Sequence, residues 1–501
     1  MGVIAKQSFR GTVVNYIGVG VGFLTTFFVL TRFLSPEEIG LARVLVDAAT
    51  IFVSLAGLGT TSSILRFYPY FSDEDSHDHG FFFLTTLIPF VGFFLFTLLY
   101  WALHVPLQQF FAEKSPLFVD YYYFVLPIAF FLLYQTTFET HANVLMRIVF
   151  PKFVREVLTR VLLLVAYLLY AFRFLSIDGF VISISVVYAI AALCNLFYLC
   201  SLGKVSFRPD FAFLNRKLVL QWVSYSAFLV LSACVTMLGP TISGFFVTAQ
   251  LGLDQTGIYA IATSVAIMVS IPYRSMGAIV QPELAKASKE HNITKLNTLT
   301  KQSAAVLMWV ALIILTLIWV NVDVIFHLLP NGDVYAPARY VVLFLGISNL
   351  LQASFNLVGT VLSFSSFYYC SIFLSLLLAV ATVCLNNCLI PLWGIDGAAV
   401  ATCIAYIIYF IALLSFVRMK LKVSPLSSAV WKILAIGLII AVVNEVLLFL
   451  MQSVNLYLSA ALRTLLIVGG VCIFSYVTKI VPEVNDFINR NLSRLIPKRH
   501  K

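Results

Sequence analysis

The sequence predicts an all-α polytopic membrane protein with about fourteen transmembrane helices, arranged as two parallel six-helix lobes around a central cavity plus two C-terminal helices. Three observations support this prediction. Hydrophobic residues make up 61% of the 501-residue chain and charged residues only 11%, too few to cover a soluble globule. Apolar runs of about 20 residues, the length that spans a bilayer, recur along the chain. Landmark motifs return after 217 or 218 residues.

The apolar runs locate the individual spans. An α-helix rises about 1.5 Å per residue, so about 20 apolar residues cross the hydrocarbon layer. The runs show no alternation of polar and apolar residues, which argues against a β-barrel. The predicted spans are residues 11–33, 41–66, 81–103, 118–145, 156–175, 180–202, 218–249, 257–279, 302–327, 338–362, 367–390, 397–417, 431–452 and 458–480.

The distribution of Lys and Arg predicts the orientation. If the N-terminus is cytoplasmic, 26 of the 32 basic residues fall in cytoplasmic segments, as the positive-inside rule requires. Both termini are therefore expected on the cytoplasmic side of the membrane. The net charge of +10 is better explained by this topology and by anionic membrane lipids than by nucleic acid. Residues 481–501 are expected to form a basic amphipathic tail on the cytoplasmic surface.

An internal repeat divides the chain. Residues 34–42 and 251–259 carry the same polar turn, and Ser176-Ile-Asp-Gly recurs as Gly394-Ile-Asp-Gly. Each copy contains six predicted spans, so the second copy starts on the same side of the membrane as the first. Such parallel repeats are typical of secondary transporters that work by alternating access.

The repeat sets the predicted domains. Residues 1–217 form the N-terminal lobe and residues 218–430 the C-terminal lobe. Two additional helices, 431–480, precede the tail.

Helix breakers occupy matching positions in the two copies. Gly22 lies in a Gly18-x-x-x-Gly22 motif, and Gly239-Pro240 follows 217 residues later. A proline within a helix removes a hydrogen bond and kinks the axis. Gly22, Gly239 and Pro240 are therefore predicted gating bends. Close helix packing remains an equally good explanation of the Gly18–Gly22 motif.

The segment Leu389-Ile-Pro-Leu-Trp-Gly-Ile-Asp-Gly-Ala-Ala-Val-Ala-Thr402, together with the Leu-Ser-Pro-Glu-Glu-Ile-Gly turn at 34–40, resembles the polysaccharide-biosynthesis flippases of the multidrug/oligosaccharidyl-lipid/polysaccharide exporter superfamily. The resemblance implies a flippase that moves undecaprenyl-pyrophosphate-linked oligosaccharide of the O-antigen, lipopolysaccharide or capsule type across the bacterial inner membrane. It also implies partners that act in the same synthesis, such as a glycan polymerase or a chain-length regulator.

A pyrophosphate headgroup is well bound by guanidinium groups, which contact phosphate through paired hydrogen bonds. Charged residues within spans usually face a cavity. The candidates for this contact are Arg43, Arg66, Arg274 and Arg339. Alternative explanations stay open for three of them. Arg43 lies four residues before Asp47 and can form an internal ion pair, Arg66 can reach the headgroup region, and Arg274 can be a topological anchor beside Pro272.

Amide and phenol side chains are candidates for the sugar contacts. Asn349, Gln352 and Asn356 follow one stripe of the tenth span, and Gln221 and Tyr225 open the seventh. Such groups suit hydroxylated sugars, although they also form hydrogen bonds between helices.

Three acidic residues are candidates for H⁺ or Na⁺ coupling: Asp47, Glu139 and Glu445. Glu139 can instead pair with Arg147, and Glu445 has no evident partner in the sequence. A driving force from the membrane potential is the alternative to coupling. No cofactor or metal site is expected, because all eight cysteines fall in apolar spans and none has partnering His or acidic residues.

Two other functions compete with the flippase. A cation-coupled multidrug exporter of the same superfamily would share the fold. A membrane glycan polymerase would need a larger external loop with catalytic acids or bases, and the external loops here are short and sparsely charged. The sequence contains no nucleotide-binding motif, so neither ATP drive nor enzymatic activity is expected.

Overall fold

The computed structural model describes residues 2–71, 73, 77–203, 205–208, 215–290, 292–480 and 482. Side chains of residues 2–12, 77, 217–218, 227–240, 275 and 278–279 are not included in the description. The chain forms two compact units, Met1–Ala260 and Ile261–Lys501. Throughout the described part, the regular structure is helical.

In its described residues, the first unit contains eight long helices and the start of a ninth. These are α1 (Gly2–Leu24), α2 (Pro36–Ala56), α3 (Thr60–Phe71), α4 (Phe81–Ala102), α5 (Val125–Val144), α6 (Thr159–Ala171), α7 (Ile177–Ser201), α8 (Arg216–Leu251) and the start of α9 (Leu253–Ala266). Shorter elements connect them: Thr25–Leu30, Thr31–Phe33, His77–Gly80, His104–Ala112, Pro116–Asp120, Tyr122–Phe124, Val149–Phe153 and Val154–Leu158. Thr25–Leu30 and Val154–Leu158 are π-helical turns.

The second unit continues from the end of α9. Its long helices are α10 (Ile271–Lys289), α11 (Ile293–Val320), α12 (Arg339–Ser363), α13 (Cys370–Leu421), α14 (Ser428–Leu450) and α15 (Leu456–Thr478). The short elements are Ile267–Ser270, Val322–Leu328, Gly332–Tyr335 and Ala336–Ala338. The predicted tail, 481–501, lies almost entirely outside the described residues.

The helices confirm an all-α polytopic membrane fold. Within the described residues, ten helices are long and apolar enough to cross a membrane, and each of the fourteen predicted spans overlaps a helix. The second predicted span, 41–66, is not one straight helix. It breaks between α2 and α3, where Leu58 and Gly59 have φ angles of 46° and 68°.

The repeated turns pack directly on each other. Ser35 caps α2 by accepting a hydrogen bond from the Glu38 backbone N–H, and the Glu38 carboxylate accepts one from the Ser35 backbone N–H. This capping box starts the helix at Pro36. One turn later, a Cβ at Gly40 would overlap the Leu253 carbonyl oxygen.

The reciprocal contact involves Gly257, where a Cβ would overlap the Pro36 carbonyl oxygen. Since Gly257 is 217 residues after Gly40 and Leu253 is 217 after Pro36, the contact is symmetric. The recurring turn forms a backbone contact between the starts of α2 and α9.

The Gly394 motif is a tight reversal between two helical arms of α13. Gly394 has φ 57° and ψ −135°, a conformation that only glycine adopts readily. A Cβ at Gly397 would overlap the Leu389 carbonyl oxygen, so the two arms touch through their backbones. The alanines that follow, Ala398 and Ala399, are fully buried. The motif that carries the family resemblance thus specifies a close helical hairpin.

Close packing accounts for the Gly18–Gly22 motif. A Cβ at Gly18 would overlap the Glu156 backbone, and one at Gly22 would meet the Arg160 guanidinium at 2.7 Å. Arg160 Nη1 donates a 2.6 Å hydrogen bond to the Gly18 carbonyl oxygen. The packing alternative is therefore observed, and a gating role for Gly22 stays a prediction.

The compact units follow a different boundary from the sequence repeat. In the structure, α8 and the start of α9 belong to the first compact unit, whereas the repeat predicts a boundary at 217/218. The difference arises because α8 and the start of α9 pack on α2. The predicted domains, 1–217, 218–430 and 431–480, describe sequence repetition and stay predictions.

Candidate functional site

Arg43 and Asp47 form the first candidate site, in the middle of α2. Arg43 Nε donates to Asp47 Oδ2 at 2.8 Å, as their spacing of one helical turn allows. The Arg43 side chain is 45% exposed and the Asp47 side chain 17%. The predicted ion pair is present. It leaves the remaining guanidinium N–H groups on an accessible surface, because only Nε is engaged with the carboxylate.

Three tyrosines, each from a different helix, lie within electrostatic range of this ion pair. Tyr167 of α6 and Tyr259 of α9 lie within electrostatic range of the Arg43 guanidinium. Tyr188 of α7 lies within range of both Arg43 and Asp47. We call these five residues the Arg43 site. It combines a neutralised guanidinium with phenol groups and ring surfaces.

Arg66 forms a second candidate site, on α3. Its guanidinium carbon lies 4.2 Å from the centre of the Tyr225 ring and 5.7 Å from that of Phe67. Arg66 is exposed and Tyr225 half-buried, and Gln221 and Ser224 on the same α8 segment are exposed. We call Arg66, Gln221, Ser224 and Tyr225 the Arg66 site. Two predicted pyrophosphate and sugar candidates, Arg66 and Tyr225, are thus in direct contact.

The Arg66 site is held in place by packing beneath it. Phe67 stacks on Trp222 with ring centres 5.4 Å apart, and Ser63 Oγ lies 3.2 Å from Ser226 Oγ. Both Phe67 and Trp222 are buried. These contacts fix α3 against α8, so the guanidinium and the tyrosine ring are presented together.

Glu139 belongs to an ionic chain rather than to an open site. Arg155 Nη1 lies 2.9 Å from Glu139 Oε1, and Arg155 Nε 3.1 Å from Glu156 Oε1. Arg160 Nη2 continues the chain at 3.0 Å from Glu156 Oε2. The sequence suggested Arg147 as the partner of Glu139. The partner is instead Arg155, which sequence spacing did not reveal because the π-helical turn Val154–Leu158 brings it into reach.

In the second unit, Arg274 lies near the start of α10. The 3-10 turn Ile267–Ser270 directly precedes this helix, and Arg274 is exposed; its contact with pyrophosphate stays a prediction.

The predicted amide stripe lies on α12. Asn349, Gln352 and Asn356 are all half-buried, while the next residue, Leu357, is buried against the unit's core. Asn349 Nδ2 donates to the Leu345 carbonyl oxygen at 2.9 Å. The stripe has one partly accessible face, and its sugar-binding role stays a prediction.

The guanidinium group of Arg339 already contacts other side chains of the second unit. Its Nη1 lies 3.4 Å from Asp323 Oδ1, and its guanidinium carbon lies 5.1 Å from the Trp319 ring centre and 5.5 Å from that of Tyr340. A carboxylate and two rings surround it, so Arg339 is less suited to an anionic ligand than Arg66.

Glu445 is exposed on α14, and a basic residue that the sequence analysis did not consider lies in its vicinity. The Arg463 guanidinium lies within its electrostatic range and within that of Asp323. Arg463 is 2% exposed, and its Nη1 donates to Asn444 Oδ1 at 3.3 Å. Its position inside a predicted span, 458–480, was the signal that could have identified it.

Two predicted bends fall where side chains are not described. Gly239 and Pro240 lie within the assigned limits of α8, in the segment 227–240, so their role as bends stays a prediction. Within the described residues, no group of three or more His, Cys, Asp or Glu side chains could hold a metal ion.

The fold is similar to those of several solved membrane proteins. The structure resembles that of the lipid II flippase MurJ in an inward closed conformation, with a TM-score of 0.69 and 14% identity over 95% of this chain and 98% of that one. An inward-facing multidrug resistance MATE family transporter of the MOP superfamily gives a TM-score of 0.60 with 14% identity, covering 82% and 94%.

The Vibrio cholerae MATE transporter VcmN gives a TM-score of 0.56 with 15% identity, over 84% of this chain and 99% of that one. At these identities the likeness concerns the fold. Among curated protein sequences, none matches this chain significantly.

The sequence profile of the polysaccharide biosynthesis protein family matches residues 4–288, more than half of the chain. The protein therefore belongs to this family, as the Leu389–Thr402 motif and the first turn led us to expect, and it is a multi-pass membrane protein with a flippase-like transporter fold.

Proposed function

We propose that this protein is a flippase that moves an undecaprenyl-pyrophosphate-linked oligosaccharide, of the O-antigen or capsule type, from the inner to the outer leaflet of a bacterial inner membrane by alternating access. The observation that carries the proposal is the pair of arginine sites in the first unit. Arg43 and Arg66 belong to one helical segment, 36–71, that is apolar enough to cross a membrane, yet both side chains are accessible. Accessible guanidinium groups within an apolar segment suit an anionic, hydroxylated cargo.

In this mechanism the headgroup and the first sugars dock on arginine and phenol groups while the polyprenyl tail stays in the lipid. Arg274 and the amide stripe of α12 are further candidates for headgroup and sugar contacts in the second unit. H⁺ or Na⁺ coupling through Asp47, Glu139 or Glu445 and a drive by the membrane potential are the candidate energy sources. A glycan polymerase or a chain-length regulator would act on the product.

The alternative, a cation-coupled multidrug exporter, is less well supported by the acidic residues of the first unit. A drug cation is best bound by an uncompensated carboxylate. Asp47 is paired with Arg43 and Glu139 with Arg155, each at less than 3 Å, so neither carboxylate carries a free negative charge.

Deleting the gene tests the proposal. We expect lipid-linked oligosaccharide to accumulate on the inner leaflet and surface glycan to be lost. Arg43→Ala, Arg66→Ala and Arg274→Ala are each expected to reduce rescue by the cloned gene. Arg418→Ala, which removes an exposed arginine from the last turn of α13, is the control. A deletion strain with normal surface glycan and increased drug sensitivity would instead support the multidrug exporter.

A further inference from the structure

We propose that the two arginine sites of the first unit bind different parts of the substrate: the Arg66 site binds the pyrophosphate, and the Arg43 site binds sugar hydroxyls. This inference rests on the proposed function and deepens it. It also changes the expectation that Arg43 contacts the pyrophosphate, because the structure shows how differently the two guanidinium groups are neutralised.

The Arg43 site carries no net charge available to an anion. The 2.8 Å contact between Arg43 Nε and Asp47 Oδ2 pairs one positive with one negative group. A pyrophosphate that approached Arg43 would be repelled by the Asp47 carboxylate at the same short range. A sugar hydroxyl meets no such penalty, because it can accept from Arg43 and donate to Asp47 at once.

The neighbouring tyrosines favour a sugar at this site for the same reason. Tyr167 is half-buried and contributes a hydroxyl group and part of a ring surface, whereas Tyr188 and Tyr259 are buried. A phenol group can donate and accept hydrogen bonds, and its ring packs against apolar C–H surfaces. All three tyrosines lie within electrostatic range of Arg43, and the half-buried Tyr167 is the one that a sugar can reach beside the ion pair.

The Arg66 site has the opposite character. Its guanidinium face is covered by the Tyr225 ring at 4.2 Å, which leaves the planar N–H edge to bind a ligand. Among the described residues, Arg66 forms no ion pair with a carboxylate within 4.0 Å, in contrast to Arg43, Arg155, Arg160 and Arg339. An uncompensated, ring-supported guanidinium is the better match for phosphate oxygens.

Farnesyl diphosphate separates the two contributions, because it carries the lipid pyrophosphate without sugars. Binding to the purified full-length protein in detergent is measured for the wild type, Arg66→Ala, Arg66→Lys, Arg43→Ala and Asp47→Asn. We expect Arg66→Ala to weaken binding at least about tenfold and Arg66→Lys to restore part of it, since lysine keeps the charge but not the paired hydrogen bonds. Asp47→Asn is expected to strengthen binding, because it frees Arg43 of its counter-charge.

The same proteins are then titrated with a short-chain lipid-linked oligosaccharide. In the wild type the sugars should increase affinity over farnesyl diphosphate. Arg43→Ala and Tyr167→Phe are expected to lose that increase while still binding farnesyl diphosphate. Arg418→Ala is the control, and thermal unfolding of each variant verifies folding.

Each result distinguishes the two proposals. If Arg43→Ala weakens farnesyl diphosphate binding as much as Arg66→Ala, or if Asp47→Asn weakens it, the division of the substrate is wrong while the flippase proposal stands. If the folded wild type binds neither farnesyl diphosphate nor the lipid-linked oligosaccharide, the proposed function fails, and the division fails with it.

Discussion

Arginine side chains within the apolar helices of this protein differ chiefly in the groups that they contact. Arg43 and Arg155 face carboxylates, Arg66 faces a tyrosine ring, and buried Arg463 donates to an asparagine oxygen. Sequence reasoning identified Arg43, Arg66 and the Arg43–Asp47 pair, because local spacing within one helix determines that contact. It missed the partners that come from other helices, since these depend on how the helices pack.

The pairing of Glu139 with Arg155 predicts a stability effect. Glu139 is buried, so Arg155→Ala leaves its carboxylate without its guanidinium partner and should destabilise the protein by about 3 kcal/mol. Glu139→Gln in the same background removes the stranded charge and should recover much of the loss. Thermal unfolding in detergent measures both effects.

A second readout separates this structural role from coupling. If Glu139 only pairs with Arg155, the stable double variant should transport with the same ion dependence as the wild type. A stable variant that has lost its dependence on H⁺ or Na⁺ would show that Glu139 is a coupling residue. Equal stability of Arg155→Ala and the wild type would contradict the ionic chain.

At the scale of the element, glycines determine how closely the helices approach. The starts of α2 and α9 meet at Gly40 and Gly257, and the arms of α13 meet at Gly394 and Gly397. The sequence predicted the repeat and its turns, because their residues recur at a constant offset. It did not predict that the two turns touch, since an offset along the chain contains no information on distance in space. It also did not reveal the break at Leu58 and Gly59, which interrupts an otherwise uniform apolar run.

The contact between the repeated turns makes a matched prediction. Gly40→Ala and Gly257→Ala each insert a methyl group into a backbone contact and should cost about 1–3 kcal/mol of stability. Gly469→Ala is the control, because a Cβ there would meet nothing within 4 Å and alanine favours helix. Thermal unfolding of the three variants tests the prediction, and an unchanged stability for both Gly40→Ala and Gly257→Ala would rule out the close contact.

At the scale of the whole molecule, composition and apolar run length predicted the helical membrane fold, whereas the orientation predicted from the charges stays a prediction. The helical membrane fold and the membership of the polysaccharide biosynthesis family agree with the sequence analysis. Long apolar runs and a repeated motif can be recognised in the sequence without any information on how the helices pack. The identity of the cargo does not follow from these features. The side chains proposed to contact the cargo come from several helices, and a local sequence pattern contains no information on how those helices pack.

The orientation predicted by the basic residues can be measured directly. With both termini cytoplasmic, a green fluorescent protein fused after Lys501 should fluoresce, and an alkaline phosphatase fused at the same position should be inactive. The reason is that the phosphatase needs the oxidising exterior to form its disulfides. Active phosphatase with no fluorescence would reverse the orientation and with it the assignment of inner and outer leaflets.

Flipping of a fluorescent undecaprenyl-pyrophosphate-linked oligosaccharide by the purified protein in liposomes tests the central claim most directly. The fraction of labelled lipid that a membrane-impermeant reagent reaches is followed over time for the wild type, Arg66→Ala and Arg418→Ala. The proposed mechanism predicts rapid exchange between leaflets for the wild type and Arg418→Ala, and a reduction of at least about tenfold for Arg66→Ala. Exchange no faster than in protein-free liposomes under an imposed H⁺ gradient, Na⁺ gradient or membrane potential would contradict it.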